Sequence, residues 1–175
     1  LFRSDVIDGQ SISTGYGQVV IQAAKWRNEG MDYAELGIRI RERLNKTRGV
    51  LILDTLDYLY RGGRCSKIDH LFSSLLSIKP VLRMKPDGTL GVYQKVRGSR
   101  EKTLDALTKY FLKEMEKENI PEIYITHYDG EEEAKLLSER ILSIGEPIKI
   151  HITEVGCALA THSGPRPLGI AYYVE

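Results

Sequence analysis

The sequence predicts an α/β fold: a two-layer domain with a mixed, roughly six-stranded sheet covered by helices. Three observations carry this. Six short apolar segments of strand length follow one another from Val50 onward. Two of them flank Lys85-Pro86-Asp87-Gly88, a tight-turn sequence that makes an antiparallel hairpin. The others are separated by amphipathic helical stretches, so parallel and antiparallel neighbours share one sheet.

In chain order, Val6-Ile7-Asp8 reads as the end of a strand and 11–17 as a turn rich in Ser, Thr and Gly. A helix follows, with Val19, Val20, Ala23, Ala24 and Trp26 as its apolar face and Gly30 as its stop. Asp32 caps a second helix running to about Lys46, with Leu36, Ile40 and Leu44 four apart, and Gly49 ends it. Residues 50–53 form a buried strand. Asp54 to Tyr60 then leads into the turn Arg61-Gly62-Gly63-Arg64. Ser66 starts a helix bearing Ile68, Leu71, Phe72, Leu75 and Leu76, which Lys79-Pro80 breaks. The hairpin strands are expected at 80–84 and 89–96. Ser99 begins a long helix to about Asn119 with Leu104, Leu107, Phe111, Leu112 and Met115 inward. The remainder alternates: strand 122–127, helix 131–144, strand 147–153, a short helix near 155–160 and strand 168–174. The first 48 residues do not obviously belong to the sheet.

The 175 residues suffice for one domain of ordinary size, and 42% hydrophobic with 28% charged residues suits a buried core. A net charge of +1 gives no bulk attraction to nucleic acid. The apolar runs fall far short of the roughly 20 residues a membrane helix needs, so stable membrane insertion is not expected. The opening Leu1-Phe2-Arg3-Ser4-Asp5 lacks an initiator Met and a signal-peptide pattern, and reads as a cut end. Cys65 and Cys157 have no metal-type spacing; two idle thiols in a reduced cytoplasmic protein is the preferred reading, a disulfide the minor alternative. No Walker, Gly-x-Ser-x-Gly or Gly-x-Gly-x-x-Gly loop is present.

Six segments, in order, carry a resemblance. They are 6–17 (Val6-Ile7-Asp8-Gly9 through Gly17), 54–64 (Leu56, Tyr58-Leu59, Gly62-Gly63-Arg64), Leu76-Ser77-Ile78-Lys79-Pro80-Val81-Leu82, Lys95-Val96-Arg97-Gly98-Ser99-Arg100, Ile125-Thr126-His127-Tyr128-Asp129 and Thr161-His162-Ser163-Gly164-Pro165. Together the chain resembles the C-terminal portion of DegV-family proteins. It departs from the family pattern at Gly9, where a serine usually follows the aspartate, and at Arg166-Pro167, where a glycine usually follows Gly-Pro. The resemblance implies the DegV C-terminal-domain fold for 49–175, with 1–48 as the tail of the first domain and connecting helices. Nothing in the chain matches the family's N-terminal domain, whose Ser and Thr hydroxyls hold a carboxylate, so that domain is expected to be absent. It also implies a non-catalytic, cytoplasmic protein that binds a long-chain fatty acid, uses no cofactor, and presents its ligand to a fatty-acid kinase subunit.

For the site, the resemblance points to His162, Arg64, Leu71, Leu75, Leu76 and Ile78 as lipid-binding residues, and to Arg97 and Arg100 as contacts for a partner or a phosphate. His162 is expected in a loop, where an imidazole can hydrogen-bond a carboxylate; spacing alone favours a loop histidine bonded to backbone. Between Arg61 and Lys102 ten basic residues face three acidic ones, a local excess suited to phosphate, carboxylate or an acidic partner, though a solvated face is the common fate of such runs. Arg64 follows two glycines; its plainer role is pairing with Asp54 or Asp57. The stripe from Leu71 to Ile78 serves equally as core or as the wall of an acyl tunnel. Two alternatives stay open: phosphotransfer on a small substrate in the manner of dihydroxyacetone kinase, through His162 or His127, and a structural domain that dimerises through exposed apolar surface.

Overall fold

The computed structural model describes residues 4–64 and 78–175; the helix expected from Ser66, and with it Leu71, Leu75 and Leu76, lies outside the described residues. Strands β1 (Thr47–Ile52), β2 (Ile78–Met84), β3 (Leu90–Arg97), β4 (Glu122–His127), β5 (Lys149–Glu154) and β6 (Leu168–Tyr173) form one sheet in the order β3-β2-β1-β6-β4-β5. β4 and β5 are parallel and every other neighbouring pair is antiparallel. Parallel strands need a long return path, and helix α5 (Glu131–Leu142) supplies it. The β2–β3 turn forms as its sequence dictates: Gly88 adopts φ 78°, and the Lys85 N–H donates to the Thr89 carbonyl at 2.8 Å.

Alternation along the strands divides the side chains between two faces. Val50, Ile52, Ile123, Ile125, Ile170 and Tyr172 point to one side and meet α5 and helix α4 (Arg100–Met115) in a continuous core. Leu104, Leu107 and Phe111 of α4 enter it, with Phe111 edge-on to Tyr172 at 5.3 Å. Ser99 caps α4, its Oγ accepting from the Lys102 N–H at 3.4 Å. The opposite face carries Gly49, Leu51, Thr126, Gly169 and Ala171, and there helix α1 (Ser13–Asn28) packs across β1, β4 and β6. Helix α2 (Tyr33–Asn45) lies against α1, capped by Asp32 through a 2.7 Å bond from the Ala34 N–H. Helices α3 (Asp57–Arg61) and α6 (Cys157–Ser163) pack on each other at the end of the sheet.

Several local expectations differ. Residues 6–8 form no strand: Val6 is 92% exposed and no described strand pairs with it. The Ser/Thr/Gly-rich segment turns only to Ile12, and α1 begins at Ser13; Gly15 in its first turn faces the sheet, with Ala171 Cβ 4.0 Å from where its own β-carbon would sit. Gly49 does not end α2; the helix stops at Asn45, and Gly49 lies within β1, paired with Ala171. α4 ends at Met115, and α6 starts two residues later than expected and continues to Ser163. His151 is half-buried: it stacks on Tyr124 at 4.6 Å and its Nε2 lies 2.7 Å from Glu122 Oε1. Cys157 is a free, exposed thiol. No helix among the described residues is long and apolar enough to cross a membrane.

Candidate functional site

The second face of the sheet holds a trough. Gly49 and Gly169 lie on strands β1 and β6 beside Ala171, and their missing side chains leave a depression in the middle of the sheet. The start of α1 closes one side with Ile12 and Gly15, and Val155, Leu159 and Pro167 close the other. The cavity volume is about 90 Å³, and the trough is open to solvent at its mouth. Its surface is mostly apolar. Hydroxyls are the polar exception: Ser11, Ser13, Thr14, Thr126 and Ser163 line it, and the oxygens of Thr14 and Thr126 are 2.7 Å apart. Such a space suits an elongated apolar molecule with a small polar end.

At one end of the sheet, two predicted site residues meet at one glycine. His162, in the last turn of α6, lays its imidazole on Gly62, where a β-carbon would overlap Nδ1 and come within 2.9 Å of Cε1. Arg64 is exposed, and its Nη1 donates to the Gly62 carbonyl at 2.6 Å, not to Asp54 or Asp57. Reciprocally, Tyr58 of α3 sits over Gly164, which adopts φ 77°. The α3 turn and the α6 loop are thus fitted together through a glycine on each.

Asp54 lies immediately beyond β1 and is the centre of an ion-pair cluster absent from the sequence reading. Its Oδ1 accepts from Lys79 Nζ at 2.8 Å and lies 3.4 Å from Arg100 Nη1, and its Oδ2 accepts from Arg166 Nη2 at 2.8 Å. Arg100 also bonds Glu133 at 2.7 Å and the Arg166 carbonyl at 2.7 Å. With its side chain only 12% exposed, Arg100 is committed inside the protein and is not a free partner contact. Arg97 is exposed at the end of β3 and makes no ion pair among the described residues. Ile78 opens β2 opposite Arg97 and is not on the trough wall, which β2 meets at its other end through Met84. His127 is buried under the acidic first turn of α5, facing away from Thr126 and the trough; its Nδ1 makes no hydrogen bond.

Burial pushes the Asp54 carboxyl up, and the hydrogen bond from Lys79, the Arg100 charge and the hydrogen bond from Arg166 more than offset this, leaving it below the usual carboxylate range. In the unfolded chain an aspartate titrates at about 4. The stability Asp54 contributes is therefore present above about pH 4 and is lost as pH falls through the lower folded value. Urea midpoints of the parent and Asp54→Asn are expected to differ at pH 7 and to converge in acid. A gap independent of pH would show that the charge of Asp54 does not matter.

A mixed sheet covered on one face by α4 and α5 and holding an apolar trough on the other defines an α/β domain. The chain belongs to the DegV family, described as uncharacterised proteins, whose profile matches residues 2–175. It is 31% identical over 174 residues to a DegV domain-containing protein of Caldanaerobacter subterraneus, covering 97% of this chain and 60% of that one. It is 33% identical over 168 residues to one from Clostridium perfringens, covering 95% and 57%. The chain thus spans about 60% of the length of the curated relatives it matches. Among solved structures, the fatty acid binding DegV family protein of Streptococcus agalactiae superposes with a TM-score of 0.87 at 27% identity, over 98% of this chain and 60% of that one. The fatty acid kinase B3 protein of Streptococcus pneumoniae, loaded with linoleic acid, gives 0.86 at 25% identity, over 98% and 60%.

Proposed function

We propose that this protein binds a long-chain fatty acid in the trough and presents its carboxyl end, near His162 and Arg64, to a fatty-acid kinase in the cytoplasm. The observation that carries this is the trough itself, a mostly apolar depression on the sheet face whose polar side chains are hydroxyls. Each methylene moved from water into it contributes about 0.8 kcal/mol, so a long acyl chain is the ligand that profits most. The names of the similar structures support the same ligand and, for one, the kinase.

In this reading the protein is a carrier subunit and the acyl group is phosphorylated by its partner. Residues 1–48 are the tail of a first domain with connecting helices, and 49–175 are the C-terminal α/β domain. Arg97, exposed and without an ion pair among the described residues, is the residue on this rim best placed to meet the partner or the acyl phosphate.

Native mass spectrometry of the chain and of the full gene product, each incubated with oleate, tests the reading. A retained adduct of fatty-acid mass on the full product, weaker on the chain, is the expected result. A folded full product that retains none would overturn it.

A further inference from the structure

We infer that Asp54 is the positioning residue of this site: one partly buried carboxylate fixes, through Lys79, Arg100 and Arg166, the separate segments that carry its side chains. This deepens the fatty-acid reading and rests on it for its effect on binding. The argument starts from where the arms lead. Asp54 opens the segment that becomes α3 and the Arg64 turn. Lys79 is the second residue of β2, and Arg100 is the first of α4, three residues after Arg97. Arg166 belongs to the loop between α6 and β6, four residues after His162. All four segments reach the same end of the sheet, and their only common partner among the described residues is the Asp54 carboxylate.

The geometry is that of a clamp. The carboxylate uses both oxygens, Oδ1 for Lys79 and Arg100 and Oδ2 for Arg166, and its side chain is 14% exposed. Arg100 adds a second hold on the same loop by donating to the Arg166 carbonyl at 2.7 Å, while Glu133 at the start of α5 fixes the other side of the guanidinium. A planar guanidinium bonded on several sides has little freedom. Arg166 stands at φ 48°, a left-handed conformation that favours glycine. This chain places an arginine there, and that side chain closes the link from the loop after α6 to Asp54.

Two variants of the full chain test this. Asp54→Asn removes the charge at nearly constant shape. Arg166→Gly cuts one arm and suits the backbone at that position, so it should fold even if Asp54→Asn does not. In both, hydrogen exchange of the amides of 161–164 and 166 is expected to rise at least tenfold while that of β4 and the core of α4 holds. The ring-proton resonances of His162, followed by NMR at fixed pH against those of His127 and His151, are expected to shift, and Arg166→Lys to restore them. A purely structural contact would lower the unfolding midpoint and leave those resonances in place. Unchanged loop exchange and unchanged His162 resonances in Arg166→Gly would overturn the inference. Loosened loops in a parent protein that never retains oleate would uphold the role of Asp54 and sink the fatty-acid reading instead.

Discussion

Leucine in place of Gly49 is expected to abolish retention of a fatty acid while leaving the fold intact. Gly49 lies inside β1 on the trough face. A β-carbon there would sit 3.7 Å from Met84 Cβ and 3.9 Å from the Ile170 carbonyl, which is ordinary contact. Its φ is not in the left-handed region, so a side chain costs no backbone strain. Glycine within a strand is itself unfavourable, by roughly 0.5–1 kcal/mol relative to alanine, so the substitution should hold or raise stability. The four added carbons extend into the trough and displace about as many ligand methylenes. At about 0.8 kcal/mol each, that is on the order of 3 kcal/mol, or roughly 100-fold in affinity. Titration with oleate and a thermal melt, run side by side, separate the two effects. An unchanged affinity in a folded Gly49→Leu protein would place the ligand elsewhere. Gly169 is the poorer probe, because a β-carbon there meets Leu51 Cβ at 3.1 Å and the Val50 carbonyl at 3.2 Å.

The contrast between these glycines shows why the site was only partly legible in the sequence. The sheet was readable because each strand is a local apolar run and the hairpin turn is local chemistry; β4, from Glu122 to His127, matches its expected bounds. Gly49 was misread because a glycine shortly after a helical stretch is a good stop signal, and only the ladder with Ala171, over a hundred residues away, makes it a strand residue. The trough gathers 11–15, 49–51, 84, 126 and 155–171, and no periodicity in any one segment reports a space between them. Glycines inside strands were the one available signal. Asp54 was considered only as a local partner for Arg64, whereas its ligand Arg166 is 112 residues distant. The motif resemblance did single out Arg64 and His162, and the fold brings both to Gly62. It could not say that Arg100, from the same basic stretch as Arg97, would be consumed internally.

The glycine contacts between α3 and α6 lead to the second large effect. Gly164→Ala is expected to cost about 2–4 kcal/mol and to disturb the His162 loop. Gly164 combines φ 77° with ψ −161°, a region essentially restricted to glycine, and placing a side chain there costs of order 1–3 kcal/mol. The added β-carbon would also overlap the Tyr58 ring, coming within 2.8 Å of Cε2, which adds a packing penalty of comparable size unless the ring swings away. Tyr58 is 44% exposed and can yield in part, so the expectation stays below the sum. Gly63→Ala isolates the backbone component: Gly63 has φ 69° with open space around its missing β-carbon, so it should lose only about 1–2 kcal/mol. Urea unfolding of the two variants, with unchanged slopes, gives the difference directly. If Gly164→Ala is no worse than Gly63→Ala, Tyr58 moves freely and the α3–α6 contact carries nothing. If it is clearly worse, that contact is rigid, and the meeting of Arg64 and His162 at Gly62 rests on a fixed frame.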